Sequence, residues 1–353
     1  MANVLLAGLA ERRTIRRERV FRDRTHPLDV LNDGDVVARY RLDRRSILQV
    51  VDFLTPALER PTNRNHAIPV VLQVLTALRY YASGSFQSLV SDLHGISVPS
   101  TSRIVRSVTT AIVNLNTYPL SISFPSNPRE IAEAQQAFYE IANFPHVVSC
   151  IDGTQIAIKS PTKDEHVFVC RKNYHSLNVQ ATTDARLRFT SVVSRYPGSA
   201  HDSFILKQSG IWRKYQSGDF DGTIILGDSG YPLKPWLMVP FIQTHNDAQA
   251  KYNKSHKTTR CTIERAFGVA KSRFRCIHHK SGGFLMHSPE VSAQVVVAVF
   301  KLHNLCINNQ LPNPEIEPDD AEEGDDDDDH TTGVTLLADG ARARDELVRF
   351  RFS

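Results

Sequence analysis

Four β-rich segments and one short helix between them constrain the fold of this 353-residue chain more than any other feature. The first segment is HVVSCIDGTQIAIKS, and SLNVQATTDARLRFTSVVSRYPG contains two more on either side of DARLR, a hairpin signal. The helical segment SAHDSFILKQSG follows, and GTIILGDSGYP has the pattern of a fourth strand. This order predicts an α/β fold.

Two helices complete the pattern of this domain, which we place at residues 145–310. The segment at 258–275, TTRCTIERAFGVAKSRFR, is strongly amphipathic, and the segment at 288–307, SPEVSAQVVVAVFKLHNLCI, is apolar on nearly every side and therefore buried. His303 and Asn304 lie on the buried helix, where we expect them to satisfy internal hydrogen bonds. The complete order, β-β-β-α-β-α, matches ribonuclease-H-like cores.

A helical N-terminal domain is predicted at residues 36–125, after a basic arm at residues 1–35. RRSILQVVDFLTPALER and IPVVLQVLTALRYYASGS read as helices, the first with apolar residues three and four apart. Residues 85–112 then indicate a helix, a glycine turn and a second helix, the layout of helix-turn-helix proteins, with Arg103 and Arg106 offered to a DNA groove. An ordinary helical hairpin with two solvated arginines fits this segment equally well.

The charge of the chain is strongly segregated. Residues 313–330 hold eleven acids and no Lys or Arg, which predicts a disordered tract within a C-terminal segment at 311–353. Because the whole chain carries +4 and residues 331–353 carry +1, residues 1–312 carry +14. A folded part this basic favours a polyanionic partner, with nucleic acid as the leading candidate, and a generic solvated surface is the alternative.

Four acidic residues occupy special positions in the predicted α/β domain. Asp152 lies on the first strand, Asp202 lies in the short helix, and Asp228 follows the apolar run of the fourth strand. Glu264 lies on the amphipathic helix. Carboxylates gathered at the end of a sheet repel one another unless they bind a cation, and Mg²⁺ and Mn²⁺ prefer oxygen ligands. The pattern therefore indicates a metal site, although Asp228 alone also fits a turn and Asp202 a first-turn acid.

The helix that carries Glu264 also has a polar face. At about 100° per residue, Arg260, Gly268, Lys271 and Arg275 share the side of Glu264. A separate stripe is apolar and would pack on the sheet: Ile263, Phe267, Ala270 and Phe274. Lys271 and Arg275 are therefore candidate contacts to a phosphate backbone, although a solvated helix face would have the same pattern.

Other classes of protein fit the sequence less well. No apolar run reaches the roughly 20 residues that cross a bilayer, so we expect neither membrane insertion nor export. The five cysteines form no C-x-x-C pair and fit reduced thiols in a cytosolic or nuclear protein. The loose cluster of Cys276, His278, His279 and His287 lacks the second ligand pair of a zinc site, and a Ser/His/Asp triad lacks its nucleophile elbow.

An ordered set of motifs resembles the PIF/Harbinger group of DDE superfamily transposases. Five of the motifs lie in the α/β domain: IDGTQIAI, YPGSAHDS, LGDSGYP, IERAFGVAKSRFR and LHNLCI. RPTNRNHAIP and YYASGSFQ extend the similarity into the helical domain, so that it runs from about residue 40 to about residue 310. The resemblance implies a ribonuclease-H-like fold, dependence on a divalent metal cation (Mg²⁺ or Mn²⁺) and cleavage of DNA strands.

The resemblance also assigns roles to individual residues. The two catalytic aspartates of the family match Asp152 in IDGT and Asp228 in GDSGY, and the catalytic glutamate matches Glu264 in IERAF. Asp202 in HDS matches a further acidic position that the family treats as a fourth metal ligand. Because all four acids are present, we interpret the chain as a nuclease, a hydrolase of phosphodiester bonds.

Partners and location follow from the same resemblance. It implies DNA as the substrate and a separate Myb/SANT-like DNA-binding protein that assists nuclear entry and site recognition. We therefore expect the protein in the nucleus and also in the cytoplasm, and a homo-oligomer is compatible with the sequence. The alternative is a catalytically silent DNA-binding or regulatory protein that keeps the transposase fold, and a protein-interaction scaffold is a third interpretation.

Overall fold

A five-stranded mixed sheet lies at the centre of the computed structural model, which describes residues 27–59, 67–279, 283–316 and 338–353. β1 is antiparallel to β2, which is antiparallel to β3, whereas β4 is parallel to β1 and β5 is parallel to β4. The order across the sheet is β3-β2-β1-β4-β5. The strands are β1 (Val147–Ala157), β2 (Ser176–Thr183), β3 (Phe189–Pro197), β4 (Ile224–Leu226) and β5 (Leu237–Met238).

Helices precede the sheet in the chain. Side-chain oxygens of Asn32, Asp43 and Asn127 accept backbone N–H groups at the start of three of them, which satisfies donors that a helix leaves unpaired. The helices are α1 (Pro27–Val30), α2 (Asp33–Tyr40), α3 (Arg44–Leu58), α4 (Val70–Ser83), α5 (Gln87–His94), α6 (Val98–Asn114) and α7 (Pro128–Ala142).

The predicted basic arm at residues 1–35 needs correction at its end. Residues 1–26 lie outside the described residues, but the chain is already helical from Pro27 onward. Leu28 and Val36 are buried in the main hydrophobic core. Burial of this apolar surface holds α1 and α2 on the helical domain, so the packed part of the chain begins before residue 36.

The helix-turn-helix layout predicted at residues 85–112 is present in the structure. Gly95 ends α5 in the left-handed conformation (φ 59°), and α6 begins at Val98. Arg103 and Arg106 are exposed on α6. The adjacent α5 and the residue before it expose large apolar side chains: Phe86, Leu89 and Leu93. The surface around the predicted DNA-reading helix is therefore partly apolar, and DNA contact by these two arginines stays a prediction.

The remaining helices follow or connect the later strands. The segment predicted at 258–275 is the second half of a longer helix, and Arg275 lies beyond its end in a 3₁₀ turn at Arg275–Ile277. These helices are α8 (Asp202–Lys207), α9 (Gly210–Gln216), α10 (Asp247–Arg273), α11 (Pro289–Asn308) and α12 (Ala338–Arg351), and a further 3₁₀ turn spans Glu165–Phe168.

α11 is the central helix of the core and joins the helical domain to the sheet. Its length and apolar composition would suffice to cross a membrane, but 67% of its most apolar stretch is buried inside the fold. Lys301 is buried on it, and its ammonium group donates to the carbonyls of Ile112 (3.2 Å), Val113 (2.7 Å) and Leu115 at the end of α6. The Ile112 carbonyl also accepts the Leu115 N–H, whereas the bonds to Val113 and Leu115 satisfy carbonyls at the helix end.

His303 and Asn304 make the internal hydrogen bonds that the sequence predicts for them. His303 Nε2 donates to the Leu187 carbonyl at 2.8 Å. The Asn304 side chain accepts the Phe189 N–H at 2.8 Å and donates to the Phe189 carbonyl at 2.7 Å. Both residues therefore fasten α11 to the β2–β3 hairpin.

α12 covers the β5 side of the sheet. The guanidinium of Arg344 lies 3.7 Å from the ring centroid of Phe241, and Phe352 packs against Phe144 and Tyr252. The predicted C-terminal segment at 311–353 thus ends in a packed helix. The acidic tract from residue 317 to its end lies outside the described residues, so its disorder stays a prediction.

Replacing Phe189 with Ala is expected to lower the free energy of unfolding by about 3–5 kcal/mol. Phe189 is 1% exposed, and its ring stacks on Phe300 with 3.9 Å between ring centroids. The truncation would leave a cavity where β3 meets α11. Urea unfolding measures the change, and Phe204→Ala, which truncates a ring that is 50% exposed, should cost less than about 1 kcal/mol. Equal costs for the two variants would contradict this account of the core.

Candidate active site

Asp152 and Asp228 lie side by side at one level of the sheet. β1 and β4 are parallel, and Cys150 is paired with Leu226. Asp152 lies two residues after Cys150, and Asp228 lies two residues after Leu226. Because side chains alternate along extended chains, the two carboxylates point to the same face of the sheet. The strand at 224–226 therefore delivers its aspartate to the position beside the first one.

The turn GDSGYP fixes Asp228 after the strand has ended. The Gly230 N–H donates to Asp228 Oδ1 at 3.0 Å, which orients the carboxylate. Tyr231, 1% exposed, fills the space under the turn, and a Cβ atom at Gly227 would lie 2.9 Å from its ring. Glycine at position 227 thus allows the tyrosine ring to pack directly against the backbone.

Arg260 bridges Glu264 and Asp152. Arg260 lies one turn before Glu264 on α10, and its Nη1 donates to Asp152 Oδ2 at 3.0 Å, while its Nη2 donates to Glu264 Oε1. One guanidinium therefore joins the acid of β1 to the acid of α10. Asp152 and Glu264 are separated by more than a hundred residues in the sequence and lie on the same side of the fold.

Asp202 lies directly over the backbone of β1. A Cβ atom at Gly153 would lie 2.5 Å from Asp202 Oδ1, so only glycine leaves room for this carboxylate. Asn178 donates to the same Asp202 oxygen at 2.8 Å and also to the Ala200 carbonyl. Gln180 donates to the Asp202 backbone carbonyl at 3.0 Å. Two amide side chains of β2 therefore hold the start of α8 against β1.

The electrostatics of Asp152 reflect this crowding. Burial raises the pKa of Asp152 to about 7, although the charge of Arg260 and the Gly153 N–H lower it. The carboxylates of Asp202 and Glu264 add to the rise. A buried acid beside other acids is most easily ionised when a cation is near, so the site favours cation binding.

Tyr231 is the buried neighbour of three of the acids. Burial raises the pKa of its phenol well above the usual value, and the charges of Asp202, Asp228 and Asp152 raise it further. Gln180 donates to the phenol oxygen at 3.0 Å. The phenol therefore keeps its proton, and Tyr231 supports the acids from below as a neutral hydrogen-bonding group.

The oxygen atoms at this site suit a hard divalent cation. All four acids offer carboxylate oxygens, and Asn178 Oδ1 is buried, with no hydrogen-bond partner among the described residues. This amide oxygen would lie 3.1 Å from a Cβ atom at Gly153, beside Asp202. Such an unsatisfied oxygen costs about 1–3 kcal/mol and fits a place where a cation or its water binds. The donor chemistry therefore fits Mg²⁺ or Mn²⁺.

The spacing of the acids is wider than a bound ion requires. Across the described part of the chain, no three His, Cys, Asp or Glu side chains lie close enough together to hold one metal ion. Arg260 supplies the positive charge between Asp152 and Glu264 instead. The four predicted ligands share one neighbourhood, but in this arrangement a guanidinium takes part of the role of a cation.

The predicted polar face of α10 is only partly present. Arg260 lies beside Glu264 as expected, but Lys271 is 6% exposed. Ile316 packs over Gly268 within 3.0 Å of a Cβ position there, because the chain after α11 runs across this part of the helix. Arg275 is exposed, although it lies beyond the helix end and off the predicted face. DNA contact by Lys271 would require the burial of this side chain to change.

Sequence reasoning overlooked the residues that organise the acids. Asn178, Gln180 and Tyr231 carry no charge, and Arg260 was only one of several cations on a helix face. One signal was available, because Asn178 and Gln180 are alternating amides in a strand that is otherwise apolar or small. Every residue of β2 is buried, so its amides must find polar partners.

Residues 151–304, which contain all four acids, match the family described as DDE superfamily endonuclease. The chain belongs to this family, as its motifs indicate. Membership supports a nuclease-like function, and the superfamily usually uses divalent metals. No solved structure matches the chain significantly.

Among its relatives are vertebrate proteins named "Putative nuclease HARBI1". The protein of Homo sapiens is 35% identical over 333 residues, which cover 92% of this chain and 93% of the relative, and that of Bos taurus is 34% identical over the same length. A plant relative, "Protein ALP1-like" of Arabidopsis thaliana, is 25% identical over 288 residues, or 77% of this chain and 69% of the relative. The Harbinger resemblance is thereby confirmed.

Proposed function

We propose that this protein is a divalent-metal-dependent endonuclease that hydrolyses phosphodiester bonds of DNA. The observation that carries the proposal is that Asp152, Asp202, Asp228 and Glu264 lie in one neighbourhood beside β1 and the end of β4. These acids come from β1, from the turn that follows β4 and from two helices, and each is held by a specific partner or turn. Acids on a solvated surface do not have to lie near one another, whereas a site that binds hard cations requires several oxygen ligands close together.

The sheet supports a ribonuclease-H-like core for this domain. Three antiparallel strands come first, α8 and α9 follow, and β4 then lies parallel to β1 before α10. We assign the catalytic roles to Asp152 on β1, to Asp228 two residues after the end of the adjacent strand β4, and to Glu264 on α10. This assignment is the same as the one that the sequence motifs imply.

Asp152, Asp228 and Glu264 would hold the cation, with Asp202 as a further ligand and Asn178 as a neutral oxygen beside it. The chemistry that a divalent cation supplies in such a site is activation of a water molecule and stabilisation of the leaving oxygen. The protein orients the ligands: the Gly230 N–H orients Asp228, and Asn178 orients Asp202. Asp152 must give up any proton that it carries when a cation binds, since burial favours its neutral form.

Exposed cations on α10 support DNA as the substrate. Lys254, Lys257 and Arg265 are exposed on the side of the helix next to Glu264. A phosphate backbone that lies along this side would pass close to the acids while its charge is neutralised. The net charge of +14 on residues 1–312 favours the same partner.

A catalytically silent DNA-binding protein is the second candidate, and the ion pairs of Arg260 favour it. Because a guanidinium already compensates Asp152 and Glu264, these two acids need no metal ion to balance their charge. In that case the protein would bind DNA with a strong salt dependence and cleave nothing.

Nicking of supercoiled plasmid DNA separates the two candidates. The purified protein is incubated with Mg²⁺, with Mn²⁺ and with EDTA, and DNA binding is measured in parallel at two salt concentrations. Nicking in Mg²⁺ or Mn²⁺ that disappears in EDTA supports the nuclease. Salt-sensitive binding without nicking in either metal supports the silent protein and overturns the proposal.

A further inference from the structure

Arg260 forms a buried bridge inside the candidate active site. Its side chain is 13% exposed, and its partners Asp152 and Glu264 are 14% and 29% exposed. Burial lowers the pKa of Arg260, but the charges of Asp152, Glu264 and Asp228 more than offset this effect and raise it. The guanidinium therefore stays charged, and it compensates acids that would otherwise repel one another in a site with little water.

The bridge conflicts with the proposed use of the same acids. Asp152 Oδ2 and Glu264 Oε1 both accept hydrogen bonds from Arg260, so each acid has one oxygen engaged. A divalent cation between these carboxylates would also lie against the guanidinium, and like charges at such short range repel strongly. The wide spacing of the acids has the same origin, because the guanidinium occupies the space between two of them.

We propose that Arg260 and a divalent cation compete for Asp152 and Glu264, so that Arg260 is a built-in counter-cation that must swing out when the metal binds. The inference rests on the proposed function, since it concerns regulation of the same site. Without metal, the arginine keeps the acids neutralised and the fold stable. Metal affinity is then lower than the four carboxylates alone would give, because each binding event must first break two ion pairs.

The position of Arg260 on α10 allows such a movement. The residue lies next to the exposed side of the helix, where Lys257 and Cys261 reach the solvent at least in part. A long, unbranched arginine side chain can therefore leave the acids by changing rotamers, without any movement of the helix. The two ion pairs that it loses are replaced by bonds from the acids to the cation.

Variants at Arg260 distinguish competition between the arginine and a metal ion from a purely structural role of the arginine. In Arg260→Ala, Asp152 and Glu264 are left without a counter-charge, so the metal-free protein is destabilised and any cation is bound more tightly. The expected affinity for Mn²⁺ is at least about tenfold higher than in the wild type. Arg260→Lys keeps a positive charge but cannot bridge two carboxylates through a planar fork. The Mn²⁺ affinity of this variant should therefore lie between those of the wild type and Arg260→Ala.

The experiment measures Mn²⁺ binding to full-length protein by isothermal titration calorimetry after treatment with EDTA and dialysis. Lys251→Ala is the matched control, because it removes one positive charge from an exposed position of the same helix. We expect this control to bind Mn²⁺ within about twofold of the wild type. Thermal unfolding is measured with and without Mn²⁺, and the stabilisation by Mn²⁺ should be larger for Arg260→Ala than for the wild type.

Binding of Mn²⁺ to the wild type with no gain in either Arg260 variant overturns this inference and leaves the proposed function intact. Absence of Mn²⁺ binding in the wild type and in both variants overturns the proposed function and this inference together. If Arg260→Ala does not fold, Arg260→Lys decides: tighter binding than the wild type supports the competition, and equal or weaker binding overturns it.

Discussion

Substitution of Asp228 by Asn should reduce the rate of metal-dependent DNA nicking by at least about a thousandfold. Asparagine has nearly the same shape, and its Oδ1 can still accept the Gly230 N–H that orients Asp228. The fold should therefore remain, while the negative charge that binds the cation is lost. Several kcal/mol of transition-state stabilisation depend on such a ligand, which corresponds to about three powers of ten in rate.

The rate is read from the conversion of supercoiled plasmid to nicked circles in Mg²⁺. Asp219→Asn is the matched control, since Asp219 is exposed in the turn after α9 and has the same charge to lose. This control should nick at the rate of the wild type. Full activity in Asp228→Asn would mean that the cleavage arises at another site or from a contaminating nuclease, and the assignment of Asp228 would be wrong.

Most strands of the sheet and the buried helix α11 were predictable because their sequence signals are local. β1, β2, β3 and α11 follow from runs of apolar residues with the correct period and from turn residues between them. The apolar run that ends at Gly227 likewise predicts the strand before Asp228. The register between β1 and β4, which brings Asp152 and Asp228 level, depends on pairing across the sheet and cannot be read from either segment alone.

The start of α10 was missed for a physical reason. Its first eleven residues are DAQAKYNKSHK, a polar stretch without a helical apolar stripe. Tertiary bonds stabilise it instead: Ser255 donates to the Ala142 carbonyl at 2.6 Å, and His256 Nε2 donates to the Met238 carbonyl at 3.1 Å. β5, with two residues, was missed in the same way, because only its pairing with β4 defines it.

Charged side chains on α10 were the least predictable part of the candidate site. Helix geometry places Arg260, Lys271 and Glu264 on one side, but the environment of each is set by distant segments. β1 presents Asp152 to Arg260, and Ile316 covers the face near Gly268. Lys271 is buried, whereas Arg260 forms ion pairs in place of a solvated charge. The sequence predicts which acids lie near one another, but not how their charge is balanced.

Substitution of Gly153 by Ala is expected to slow metal-dependent nicking by about a hundredfold, although no charged or catalytic group is changed. The backbone of Gly153 does not have a positive φ, so alanine meets no conformational strain there. The effect comes from space: the new Cβ atom would lie 2.5 Å from Asp202 Oδ1 and 3.0 Å from its carboxyl carbon. Asp202 cannot simply rotate away, because Asn178 holds its carboxylate and Gln180 holds its backbone carbonyl.

The start of α8 must therefore shift away from β1, and Asp202 leaves its place beside Asp152. A misplacement of about 1 Å can cost two powers of ten in rate, whereas overpacking of this kind lowers stability by about 1–3 kcal/mol. Gly210→Ala is the matched control, because nothing lies within 4 Å of a Cβ atom at that position. Nicking rates and Mn²⁺ affinities of both variants are compared at a temperature where urea unfolding shows each to be folded. If Gly153→Ala nicked DNA as fast as Gly210→Ala, the close contact between Asp202 and β1 would have no part in the chemistry, and the site would reduce to Asp152, Asp228 and Glu264.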